Sequence, residues 1–238
     1  MEALWNKFQS LFSLIQGAHE YRKMSHGHGF DHAFAVANLA ALFCEASEDR
    51  EFAWMAGLCH NADRMIALDR GTPRREVPDE DVNGLVYEWL SVIEHIGKYQ
   101  IDWDFEKVSI INAVLNHGKP NDSGDDTITR ALKDADRVVN ARLDVVIRSA
   151  QFQPELPVID LALGLDDKRG KYNGRLTVVA DLMDCLDWGN LEDARFGVRT
   201  AGAKKMIVER VALLKQFLEM IVEQRREEGL VPYPILSE

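Results

Sequence analysis

A chain of 238 residues, 46% of them hydrophobic, is long enough to bury a sizeable core and is no candidate for wholesale disorder. Its 39 acidic against 28 basic residues give a formal charge of −11, which repels nucleic-acid phosphates and makes a nucleic-acid polymer an unexpected partner. The charge leaves room for a small phosphorylated molecule held by local cationic groups. The 3 cysteines, Cys44, Cys59 and Cys185, are too few and too irregular for a disulfide framework or a cysteine-based zinc site, so a reducing, cytoplasmic setting is expected.

The opening MEALWNKFQSLFSLIQ has no basic start and carries polar residues throughout, so it reads as an amphipathic helix over 2–16 and not as a secretory signal. Helical periodicity predicts further helices over 31–46, 49–66, 82–97, 104–116, 127–149, 175–187 and 202–227, with Asp31 as N-cap of the second. The segments 71–81 and 118–126 are rich in turn residues and charge and read as exposed loops. The longest irregular stretch, 150–174, reads as a mobile lid or a subdomain boundary, and Gly229 as a helix stop. Period-two signals are absent apart from a weak VPYPIL near the end, and no segment approaches the roughly 20 apolar residues of a membrane span. The expectation is an all-α bundle forming one domain over 1–238, with a core of about 20–150 on which C-terminal helices of about 175–227 pack.

All 7 histidines, His19, His26, His28, His32, His60, His95 and His117, fall in the first half. On a helix His32 shares its face with Ala35, Val36, Leu39 and Phe43, and His60 shares one with Phe52, Ala53, Ala56 and Gly57. His117 follows Ile110, Ala113 and Val114 at a helix end. Asp136 lies between Leu132, Ala135, Val139 and Leu143, an apolar face on which a carboxylate is costly without a partner. A metal ion is one such partner; a helix end or another hydrogen-bonded group is the structural alternative. Asp134 is turned by about 200° from Asp136. It shares its face with Arg130, Arg137 and Val138, so Asp136 is the expected inward residue.

In order and context these segments, GFDHAFAVANLA, AGLCHNADRM and ALKDADRVVNA, resemble the signatures of the HD superfamily of metal-dependent phosphohydrolases. AVLNHGKP is similar to an extra histidine segment of many bacterial HD hydrolases, and RTAGAKKMIVERVALLKQFLEMIVEQ to the closing helix of one subfamily. The resemblance spans about residues 20–225. It implies an HD-domain-like helical bundle and one divalent ion, with manganese, iron, nickel, cobalt, zinc and magnesium undistinguished. The ion would be held by His32, His60 and Asp136, and His117 would add a hydrogen bond, a proton or a ligand. The reaction implied is hydrolysis of a phosphomonoester or nucleotide by metal-activated water.

The chain departs from the family at the second segment, which reads His60-Asn61 where the family has His-Asp. A neutral amide can still coordinate through its oxygen, but the loss of an anionic ligand weakens a hard divalent site and disfavours a binuclear one. Asp63, at i+3 from His60, is placed to compensate, and Arg64, at i+4, to hold a substrate phosphate. The plainer alternative is a salt bridge between the two at a helix end. His26 and His28 lie in a Gly-containing loop that could approach a metal or simply position the helix start. Lys119 could reach an anion at the pocket mouth, whereas Arg195 and Arg199 are expected on the solvated surface. Two functions remain in play: a phosphohydrolase, and a catalytically degenerate HD domain serving as a ligand-binding or regulatory module. A homodimer is compatible with either.

Overall fold

The computed structural model describes residues 2–24, 28–94, 103–152, 154–159 and 177–230, and these contain helices and no strand. In chain order the helices are α1 (Glu2–Lys7), α2 (Gln9–Tyr21), α3 (Phe30–Phe43), α4 (Arg50–Cys59), α5 (Ala62–Arg70), α6 (Asp79–Glu94), α7 (Trp103–Asn116), α8 (Thr127–Asn140), α9 (Val145–Phe152), α10 (Val178–Asp184) and α11 (Ala201–Glu227). Two short 3-10 turns, Arg74–Glu76 and Cys185–Gly189, complete the described elements.

The centre of the molecule is α3 crossing α4 and α8, with α7 packed on α4 and α8. Small residues permit the α3–α4 crossing. Ala33, Ala37, Ala40 and Ala41 line the buried side of α3, and a Cβ added at Gly57 would stand 2.5 Å from the Ala37 Cα. The two backbones touch there, which fixes how closely the middle of α3 and the C-terminal end of α4 approach. Leu58, Met65, Leu90, Ile110 and Leu132 fill the surrounding core. A second apolar cluster, Val145, Val178, Val179, Leu182, Cys185, Leu214 and Leu218, joins α9, α10 and α11, and α11 also packs on α8 and α3.

Several sequence expectations need correcting. The helix expected over 49–66 is two helices broken at His60 and Asn61. The helix expected over 127–149 is broken at residues 141–144, although no Gly or Pro marks the spot. There α8 is committed to the main core while Val145 enters the second cluster, so the chain must turn between them. Asp31 does not cap α3. Gly29 is the N-cap, in extended backbone, and Asp31 lies in the first turn with an exposed side chain, 3.1 Å from Arg142. The segment 71–81 is only partly loop: Gly71 ends α5 at φ 64, a conformation suited to glycine, then the Arg74–Glu76 turn follows and α6 starts at Asp79. The capping that supports α8 comes from Asp126, whose side chain accepts from Thr129 N at 2.6 Å. Cys44 and Cys59 are buried, as small core hydrophobes are. His26, His95, most of the stretch 150–174 and VPYPIL lie outside the described residues.

Candidate functional site

The break between α4 and α5 presents two consecutive buried polar residues to the interior. The His60 Nδ1 donates to the Gly57 carbonyl at 2.6 Å, which leaves Nε2 with the lone pair. Next to it, the Asn61 amide nitrogen donates to the His28 carbonyl at 3.4 Å, and its Oδ1 is buried with no hydrogen-bond partner. Immediately after α7, His117 repeats the His60 arrangement, with Nδ1 donating to the Val114 carbonyl at 2.6 Å. His32 enters from the first turn of α3. The imidazoles of His28, His32, His60 and His117 thus form a row, with successive ring centroids 5.4, 5.1 and 5.4 Å apart.

Asp136 of α8 faces this row. Its Oδ1 lies 3.2 Å from the His32 Nε2, and 24% of its side-chain surface remains open to solvent. The two atoms meet at a geometry short of a well-aligned hydrogen bond. One ligand atom from each of His32, His60 and Asp136 lies within 4.8 Å of the others. Ligands of a first-row ion stand about 2.0–2.2 Å from it and hence roughly 3–4 Å from one another, so small side-chain shifts would close this set on an ion. The orphaned Asn61 Oδ1 supplies a neutral fourth acceptor. The donor set therefore fits a divalent cation.

Burial acts on the ionisable groups in opposite directions. It pushes the His60 and His117 rings below the usual histidine range, reinforced for His60 by its imidazole neighbours, and it carries His28 down to about 2. Burial alone would raise the Asp136 carboxyl. The His32, His60 and His117 rings outweigh it and hold that carboxyl well below the usual range.

Cationic side chains surround the row. Arg74 donates from Nη2 to the His117 Nε2 at 3.2 Å and is bonded through Nε to Asp63. Arg148 of α9 donates from Nη2 to the Asn140 Oδ1 at 3.1 Å and brings Nη1 to 3.4 Å from the His32 Nδ1. Asn140 in turn donates to the Asp136 Oδ1 at 3.3 Å, linking that carboxylate to Arg148. The Arg64 charge reaches the His28 ring. A chain of net negative charge thus places three guanidinium groups along the histidine row.

The structure brings His32, His60, Asn61, Asp136 and His117 together. Asp63 is nearby but is not among the converging ligand atoms. The chain breaks between His60 and Ala62, so the pair does not share a continuous helix face, and Asp63 is joined to Arg74. Arg64 donates its backbone N–H to the Asp63 Oδ1 at 2.7 Å, and the salt bridge of Asp63 runs to Arg74. Sequence reasoning overlooked Arg74 and Arg148. Arg74 stood in an expected surface loop, and Arg148 returns to the site only because of the turn after α8. Arg199, expected to be solvated, pairs with Asp125 at 2.8 Å. Lys119 is exposed and 3.8 Å from Asp79. His19 is buried with its Nδ1 on the Ile15 carbonyl at 2.9 Å and its ring against Phe30.

No family model matches the chain, and no curated protein does. Among solved structures it is similar to an HD-superfamily hydrolase from Bacillus thuringiensis, with a TM-score of 0.64 and 16% identity over 94% of this chain and 99% of that one. The chain therefore has the helical fold of an HD-superfamily hydrolase. No helix among the described residues is long and apolar enough to cross a membrane.

Proposed function

We propose that the chain is a metal-dependent hydrolase of a small phosphorylated molecule, a phosphomonoester or nucleotide. One divalent ion would be held by His32, His60 and Asp136 with help from the Asn61 oxygen. The observation that carries this reading is the convergence of three ligand atoms within 4.8 Å on a solvent-reached face lined by arginines. The fold shared with an HD-superfamily hydrolase supports it. Two imidazoles favour a first-row transition ion over magnesium. When bound, the ion would supply an activated water and would neutralise charge on a phosphoryl oxygen.

The chain's own residues do the rest. Gly57 fixes the His60 tautomer, so that Nε2 faces the centre. Asn140 orients the Asp136 carboxylate, and the surrounding rings keep it ionised. Arg148 and Arg64 offer N–H groups to the non-reacting phosphoryl oxygens. Asp63 serves by holding Arg74, and His117 has a lone pair at Nε2 that can take up and return a proton.

A second reading, a metal-free pocket in a binding or regulatory module, is favoured by Asn61, which removes an anionic ligand. Elemental analysis of protein purified without chelator separates the two, with His60→Ala as control. About one transition ion per chain, lost in the variant, followed by turnover in a phosphatase screen with that ion, supports the hydrolase. Absence of metal in both proteins, even after incubation with manganese, iron or nickel, would sink it in favour of the module.

A further inference from the structure

Arg74 stands apart from the other groups at this site because it occupies an atom the chemistry needs. His117 has its Nδ1–H committed to the Val114 carbonyl, so its single remaining lone pair is at Nε2, and the Arg74 Nη2 sits on it at 3.2 Å. Arginine has no acceptor and does not lose its proton, so this contact can only be guanidinium to lone pair. While it lasts, His117 Nε2 can neither accept a proton nor reach another partner. The contact is also poorly matched. A guanidinium fork pairs much better with two anionic oxygens than with one imidazole nitrogen.

The surroundings let Arg74 exchange partners. Its side chain is 37% exposed, and it sits on the short Arg74–Glu76 turn instead of a long helix. Gly118, next to His117, leaves it space: a Cβ there would lie 3.2 Å from the Arg74 Nη2. Asp63 holds the other side of the fork, so the arm stays at the site mouth when its tip moves.

We infer that Arg74 is the anion-receiving arm of this site: a phosphoryl group of the incoming molecule draws its guanidinium off His117 Nε2, so that the imidazole is released only when an anion is bound. Arg74 is thus a positioning residue that couples phosphate recognition to the availability of His117. The inference rests on the reading of the site as one for phosphorylated molecules, and it does not require the metal.

The test is an NMR titration of the full chain, chelator-treated, with inorganic phosphate, following the ring nitrogens of His117. In the wild type, phosphate should shift the Nε2 resonance toward the position it has in Arg74→Ala without phosphate. Arg74→Ala should bind phosphate about 10- to 100-fold more weakly, as expected for loss of a charge-assisted pair, and its Nε2 resonance should then stay put. Arg74→Lys should fall between. Asp63→Asn keeps an oxygen that can accept from the Arg74 Nε, so the arm stays in place, and removes only the counter-charge that competes with phosphate; it should bind phosphate several-fold more tightly. Equal phosphate affinity in wild type and Arg74→Ala would overturn the inference, as would weaker binding in Asp63→Asn or an Nε2 resonance unmoved by bound phosphate. No binding by the wild type at millimolar phosphate overturns it too. Should Arg74→Ala not fold, Asp63→Asn and Arg74→Lys decide. Failure of metal binding or hydrolysis would leave these measurements unaffected, so the two ideas can fail separately.

Discussion

Two aspartates on α8, two residues apart, have opposite surroundings. Asp134 is fully buried and accepts from the backbone nitrogens of Arg199 and Thr200 at 2.9 and 2.7 Å, with Arg137 at 4.0 Å. It pins the segment leading into α11 onto α8. Burial raises its pKa in spite of those bonds. Asp136, about 200° round the helix, keeps a quarter of its side chain open and faces three imidazoles that hold it well below the usual carboxylate range. The difference teaches where chemistry can reside. Backbone donors have saturated one oxygen of Asp134 from fixed positions, and its work is structural. The partners of Asp136 are side chains that can rearrange, and it retains capacity for a ligand.

Acid should divide the two faces most strongly. His19, His60 and His117 are buried with lowered pKa values, and His28 is lowered to about 2. The unfolded chain takes up protons on these rings near pH 6.5 while the native one does not, so stability is present above that pH and is lost as pH falls below it. For His28, lowered to about 2, the loss approaches about 1.4 kcal/mol per pH unit below about pH 6.5, and the other rings add losses of the same sign. Asp136 adds a loss of the same sign only below about pH 3.9. Urea unfolding of chelated protein should show lower stability at pH 5 than at pH 7, by about 2 kcal/mol from His28 alone; equal midpoints would mean the row is not buried neutral.

Asp134→Ala should cost about 3 kcal/mol, because it strands two buried N–H groups and leaves Arg137 short of a counter-charge. Calorimetry should show this with metal stoichiometry unchanged below the lowered transition. Asp136→Ala should do the reverse, weakening divalent-ion binding by more than about 100-fold with little change in the stability of the chelated protein. If the two variants exchange phenotypes, the assignment of the faces is wrong. Asn61→Asp sharpens the same contrast, since a second carboxylate should strengthen ion binding by about 10-fold. Unchanged affinity by titration calorimetry would place residue 61 outside the coordination sphere.

Much of this was legible in the chain itself. The all-α class follows from 3.6-residue periodicity, and the apolar neighbours of His32 and His60 put both rings inside. The inward turn of Asp136 could also be read from its helix face. The same reasoning erred on Asp134, because a face with arginines looks solvent-exposed when the sequence cannot show that α11 and its leading segment will cover it. It joined α4 to α5 for a related reason. No Gly or Pro marks His60-Asn61, and the break is sustained by a side chain reaching back to the Gly57 carbonyl and by the close Gly57–Ala37 contact.

What the sequence determined by itself was local: periodicity, amphipathic faces and the residue types able to bind a cation. Tertiary structure alone decided which of them meet. Arg148 reaches His32 across 116 positions of sequence, Arg74 reaches His117 across 43, and Asp134 reaches Thr200 across 66. Each meeting depends on where packed helices place two distant backbones, and no local propensity encodes that distance.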